Sequence, residues 1–67
     1  MTYEQAQIAA RKRLRVVHKL PLCGESEYIA TEAAQFRIRG ESYESLRLED
    51  DTGCVVIAAV KDCEVKE

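Results

Sequence analysis

The run Cys54-Val55-Val56-Ile57-Ala58-Ala59-Val60 constrains this chain more than any other feature, being rich in β-branched residues and apolar at every position. Just before it, Leu46-Arg47-Leu48 reads as a strand and Glu49-Asp50-Asp51-Thr52-Gly53 as a polar turn, with Gly53 able to take the positive φ that such turns often need. Strand, tight turn, strand predicts a hairpin within a small β-rich domain. Because neither parity of residues 54–60 carries a polar side chain, both faces are expected to be buried. That places the run in the middle of a strongly curled sheet or small barrel, not at the edge of a flat one.

Sixty-seven residues allow one domain and no second core. A domain this small buries only about 60% of the surface its unfolded chain exposes, so self-association, a metal or a bridge is a natural supplement and a homodimer is one expected arrangement. Charged residues make up 33% of the chain beside 46% hydrophobic ones, which argues against disorder. No apolar run approaches the roughly 18 residues of a membrane span. The opening Met1-Thr2-Tyr3-Glu4-Gln5 has no basic segment leading into an apolar one, so the expected compartment is the cytoplasm. Three cysteines, Cys23, Cys54 and Cys63, form no C-x-x-C pair and read as free thiols, with Cys54 opening the core strand and Cys63 at an apolar position.

The net charge of −2 hides an asymmetry. Through Leu20, the five bases Arg11, Lys12, Arg13, Arg15 and Lys19 face the single acid Glu4, whereas from Pro21 onward five bases face eleven acids. Arg11 to Arg15 read first as the solvated C-terminal end of a helix, where cations meet the macrodipole favourably. The alternative is a nucleic-acid contact, although no aromatic stacking platform accompanies the cluster.

Thr2 with Gln5 fits a capping box, and a helix is expected over residues 2–13, with Tyr3, Ala6, Ala10 and Leu14 on one face. Ile8 falls on another side, either singly exposed or in contact with another chain. Residues 15–20 read as a first strand and residues 21–26 as a loop in which Gly24 takes positive φ. Over residues 27–34 helix and strand compete. Ser26 could cap a helix and Glu32-Ala33-Ala34-Gln35 are good helix formers, whereas Tyr28, Ala30, Ala34, Phe36 and Ile38 share one parity, which favours strand. Gly40-Glu41-Ser42 is the next expected turn and residues 43–48 the return strand. Lys61-Asp62 form a short turn, 3₁₀ in character, before a last strand through Val65.

The helix opening at Met1-Thr2-Tyr3-Glu4, Glu27-Tyr28-Ile29 in the second strand, Leu46-Arg47-Leu48 before Asp51-Thr52-Gly53, and Ala58 followed by Lys61-Asp62-Cys63-Glu64-Val65 give a layout that resembles short uncharacterised bacterial proteins, often of Firmicutes and mobile elements. The resemblance covers most of the chain, but its motifs are structural, so it implies no functional residue. The C-terminal strand, short turn and strand are similar to the closing of an SH3-like barrel, an analogy of fold and not of function.

Chemistry-bearing constellations are sparse. His18, the one histidine, lies in a presumed strand. Ser26, Ser42 and Ser45 have no nucleophile elbow around them. Asp50-Asp51 read as turn formers before they read as a cation site. Gly24, Gly40 and Gly53 are scattered over separate turns, so no phosphate loop and no nucleotide cofactor is indicated.

The sequence by itself does not state what the protein does. The expected architecture is an α+β domain spanning residues 1–67, with a short N-terminal helix on a strongly bent antiparallel sheet of four or five strands at residues 15–66, resembling an SH3-like barrel. The preferred reading is a non-catalytic binding or adaptor module that contacts a protein partner through Tyr28, Arg37, Arg39 and Tyr43. Weak nucleic-acid binding through Arg11, Lys12, Arg13 and Arg15 is the alternative, and a small enzyme or metal protein using His18 and the cysteines ranks last.

Overall fold

The first helix begins where its cap dictates. In the structure, a computed structural model that describes residues 1–20 and 24–66, the Thr2 hydroxyl accepts from the Gln5 N–H at 3.2 Å and the Gln5 side chain accepts from the Thr2 N–H at 2.8 Å. This reciprocal pair satisfies two donors at the start of α1 (Tyr3–Lys12). The helix ends at Arg13, whose φ of 54° is left-handed, with Arg13 N–H bonded to Ala10 O and Leu14 N–H to Ala9 O. That is a Schellman closure with arginine where glycine is usual. Ala6, Ala9 and Ala10 are buried while Tyr3 and Leu14 pack against the core at its margin, so the expected apolar face exists and is widened by Ala9. Its small side chains let the helix approach the sheet closely. Ile8 is exposed.

Five antiparallel strands follow: β1 (Arg15–Leu20), β2 (Gly24–Ile38), β3 (Glu41–Glu49), β4 (Val55–Ala59) and β5 (Cys63–Val65), with one 3₁₀ turn, Val60–Asp62, between the last two. Their order in the sheet is β4-β3-β2-β1-β5. Residues 27–34 are strand, so cross-strand pairing outweighs the local helix propensity of Glu32-Ala33-Ala34-Gln35. The expected loop at 21–26 is shorter than its sequence suggests. Gly24, with φ 82°, and Ser26 already belong to β2, and the rest of that expectation, residues 21–23, lies outside the described residues.

The β2–β3 turn also shifts by one residue. Arg39 and Gly40, with φ of 51° and 84°, form a two-residue connection with the φ signature of type I′, and Glu41 and Ser42 are already in β3.

β2 serves two ladders. Its first part, through Ile29, pairs with β1, and the stretch from Ile29 to Ile38 pairs with β3. Between Ala30 and Glu32 the register slips at a bulge, where the Thr31 hydroxyl donates to Arg47 O at 3.1 Å and accepts from the Arg47 guanidinium at 2.9 Å. One extra residue reverses side-chain parity. Tyr28 and Ala30 therefore face the helix, and beyond the bulge Ala33 takes over that role opposite Leu46, while Ala34, Phe36 and Ile38 turn to the outer face. The uniform parity expected from Tyr28 to Ile38 is corrected by this bulge.

The core lies between α1 and the inner face of the curled sheet: Val16, Ala30, Leu46, Leu48, Ala58, Val60 and Cys63 beneath Ala6, Ala9 and Ala10. β4 is not the central strand its composition suggests. It ends the sheet, Ala58 faces the core, and Ile57 on the other side is 65% exposed. Cys54 precedes the strand and is exposed. The expected SH3-like barrel is likewise corrected to an open sheet, bounded by β4 on one side and β5 on the other. The 3₁₀ turn nevertheless brings their ends close, and the Cys63 thiol donates to Ala59 O at 3.4 Å.

Candidate functional site

Beyond the bulge, β2 and β3 leave the rest of the fold. The β1 ladder ends at Ile29 and the β4 ladder begins at Ser45, so residues 34–44 form a two-stranded ribbon with no neighbouring strand. All eleven are exposed. On its outer face Phe36 pairs with Tyr43, the two rings stacked at a centroid separation of 5.6 Å and 17° between planes. Such a pair is worth about 0.5–1.5 kcal/mol beyond its buried area and stiffens the ribbon. The Tyr43 hydroxyl donates to the Glu41 carboxylate at 2.8 Å, and that bond raises its pKa above the usual tyrosine value.

The same outer face continues onto β4. Arg47 pairs with Ile57 and Glu49 with Val55, and because paired residues share a face, Val55 and Ile57 lie on the Phe36–Tyr43 side. Phe36, Ile38, Tyr43, Val55 and Ile57, all large apolar or aromatic residues, are exposed on this one surface. The half of the outer face over β1 and β5 is different. There Arg15 and Lys66 both pair with Glu27, and Lys19 pairs with Glu64 at 3.1 Å, so this half is charged and largely ion-paired.

The four residues expected to form a binding surface are therefore divided. Tyr43 lies in the apolar outer face. Arg37 pairs with Ser42 on the opposite side of the ribbon, and Arg39 occupies the turn at its tip. Tyr28 is removed from the set: it packs against the core on the inner face, with its ring 6.4 Å from that of His18. The basic cluster divides as well. Arg11 and Lys12 occupy the last turn of α1 and Arg13 its cap, whereas Arg15 is in β1 and ion-paired with Glu27 at 3.5 Å.

Phe36, Ile38, Val55 and Ile57 are absent from the sequence-level set. Phe36 had a legible signal, since a two-residue turn at Arg39-Gly40 sets it directly across from Tyr43. Ile57 had none within its all-apolar run.

The polar candidates lie in separate parts of the fold. The Asp50 carboxylate accepts from Thr52 N–H at 2.9 Å, Thr52 hydroxyl at 2.7 Å and Cys54 N–H at 2.9 Å, organising the β3–β4 turn in which Gly53 has φ 87°. These bonds, the Thr52 hydroxyl foremost, hold its pKa below the usual carboxylate value. His18 is buried at 8% exposure, opposite Cys63 and Ser26, and its Nδ1 has no hydrogen-bond partner among the described residues. Burial pushes the neighbouring Cys63 thiol up to about 11, so at pH 7 it is a protonated, apolar-like group. Beside β5, Met1, Ile8, Leu14 and Val65 line an open groove of about 380 Å³.

Comparison with known proteins finds no matching family model, curated protein or solved structure. No helix among the described residues is long and apolar enough to cross a membrane.

Proposed function

We propose that this domain is a non-catalytic binding module that receives a protein partner on the outer face of β2, β3 and β4. One observation carries the reading: five large apolar or aromatic side chains lie outside the core, on one face. The largest fully buried side chains are Leu46, Leu48, Val16 and Cys63, and half of the buried core is alanine, whereas Phe36, Ile38, Tyr43, Val55 and Ile57 share one exposed face. Large apolar side chains exposed in two groups on one face, Phe36, Ile38 and Tyr43 on the ribbon and Val55 and Ile57 on β4 with Ser45 and Arg47 between them, mark an interaction site on so small a domain. The stacked Phe36–Tyr43 pair supplies the rigid aromatic anchor that dominates interface energetics. Arg39, exposed in the turn at the ribbon tip, provides a cationic contact beside it, and a partner with an apolar patch bordered by carboxylates suits this surface.

The test is affinity capture from the native host, followed by reconstitution with the partner so identified and calorimetric titration. Phe36→Asp should weaken binding by at least about thirtyfold, the equivalent of roughly 2 kcal/mol for a buried aromatic anchor, with the circular dichroism spectrum unchanged. A purified partner that binds Phe36→Asp as tightly as the parent would refute the assignment of this face.

A further inference from the structure

We infer that β4 is a homodimer seam, in which a second copy of this chain adds its own β4 antiparallel across a two-fold axis at Ile57. The two edges of the sheet are built differently. β5 is three residues long, its Glu64 is ion-paired to Lys19, and Lys66 follows it; a short, charged edge resists strand addition. β4 has five residues, Val55-Val56-Ile57-Ala58-Ala59, without a charge, proline, glycine or bulge. It is an unguarded edge with Ile57, its central residue, the most exposed large hydrophobe among the described residues.

The strand is also complementary to itself. A two-fold at Ile57 sets Val55 against Ala59 of the second copy on the outer face and Val56 against Ala58 on the inner face, large against small at every flanking pair. No like charges meet, because the strand has none. Antiparallel pairing also brings the C-terminal flank of one strand, which carries Lys61, to the N-terminal flank of the other, which carries Asp51. Lys61 and Asp51 are both exposed and take part in no ion pair among the described residues, so each is free to bridge the seam at its ends. Once the two β4 strands are joined, the terminal strands of the sheet are the guarded β5 strands, and the two-fold, which uses the same edge of both copies, closes at two. The paired chains would present their two outer apolar faces on one continuous ten-stranded sheet. The seam shares Val55 and Ile57 with the proposed partner face, but self-pairing does not depend on that reading, since its aromatic anchor, Phe36 and Tyr43, lies outside β4.

Sedimentation equilibrium from about 1 to about 200 µM, a range bracketing micromolar self-affinity, is the first test. The parent should pass from monomer to dimer, and Ile57→Lys should weaken association roughly tenfold or more while melting at a similar temperature, because the side chain is exposed in the single chain. Phe36→Asp should leave the dimer intact, which separates this seam from the partner face. In a Cys23→Ser, Cys54→Ser background, mild oxidation should link Ile57→Cys into a covalent dimer and leave Glu64→Cys, on the other edge, largely unlinked. A parent that stays monomeric throughout, a dimer indifferent to Ile57→Lys, a dimer dispersed by Phe36→Asp, or equal cross-linking at positions 57 and 64 would each overturn the inference.

Discussion

Replacing Leu48 by alanine and Ile57 by threonine probes the two faces of the β3–β4 ladder separately. Leu48 is fully buried and pairs with Val56 on the core face, so truncation removes three carbons from a site whose neighbours are alanine and valine. Buried leucine-to-alanine changes cost about 2–5 kcal/mol, the upper range applying where the surroundings cannot collapse. A 67-residue domain has roughly 3–10 kcal/mol of total stability, so Leu48→Ala removes a large share of it. Ile57 keeps 65% of its surface in water in the single chain. About a third of a full side-chain burial of 1.5–3 kcal/mol is then at stake, and threonine retains the β-branch, giving a cost of under about 1 kcal/mol. Urea denaturation followed by far-ultraviolet circular dichroism, run near 1 µM to keep association minor, measures both. If Ile57→Thr lowered stability as much as Leu48→Ala at that concentration, β4 would be covered on both faces and the register described above would be wrong.

Three further outcomes follow from local geometry. Arg39→Asn and Arg13→Gly place residues tolerant of left-handed backbone at φ of 51° and 54°, and each should raise stability by roughly 0.5–1 kcal/mol, read as a higher thermal midpoint. The Cys63 thiol, raised from 9.0 to about 11 by burial, stays protonated in the folded chain while the unfolded chain ionises. Stability should therefore fall by up to about 2–3 kcal/mol as pH climbs from about 9 to about 11, and Cys63→Ala should markedly reduce that slope, leaving the share due to Tyr43. Asp50 has the opposite sign: its lowered pKa adds stability above the ordinary carboxylate range that is lost as pH falls through the folded value, and Asp50→Ala should flatten that acid limb of a pH-denaturation series.

Much of the fold was legible because it is written in local chemistry. The Thr2–Gln5 box starts α1, and Gly24 and Gly53 mark backbone positions of positive φ. Asp50 was readable as a turn residue, since an aspartate hydrogen-bonds backbone a few residues on regardless of the rest of the chain. Tyr43 was recognisable as a candidate binding residue, and the Arg11–Arg13 cluster as a helix end, for similar reasons.

What tertiary structure decided were the faces. One extra residue at Thr31 reverses the parity of everything after it, which moves Phe36 and Ile38 to the outer surface and leaves Tyr28 inside. No composition or period shows where such a slip will fall, because it depends on the Thr31–Arg47 contact between two strands. The all-apolar β4 posed the same difficulty in a stronger form. A run with no polar residue on either parity is compatible with burial on both sides, and its exposure follows from sheet order and from a single helix that covers one face. Burial is a property of what packs against a strand, and for residues 55–59 that is set by the neighbours the chain brings to them, not by the strand's own side chains.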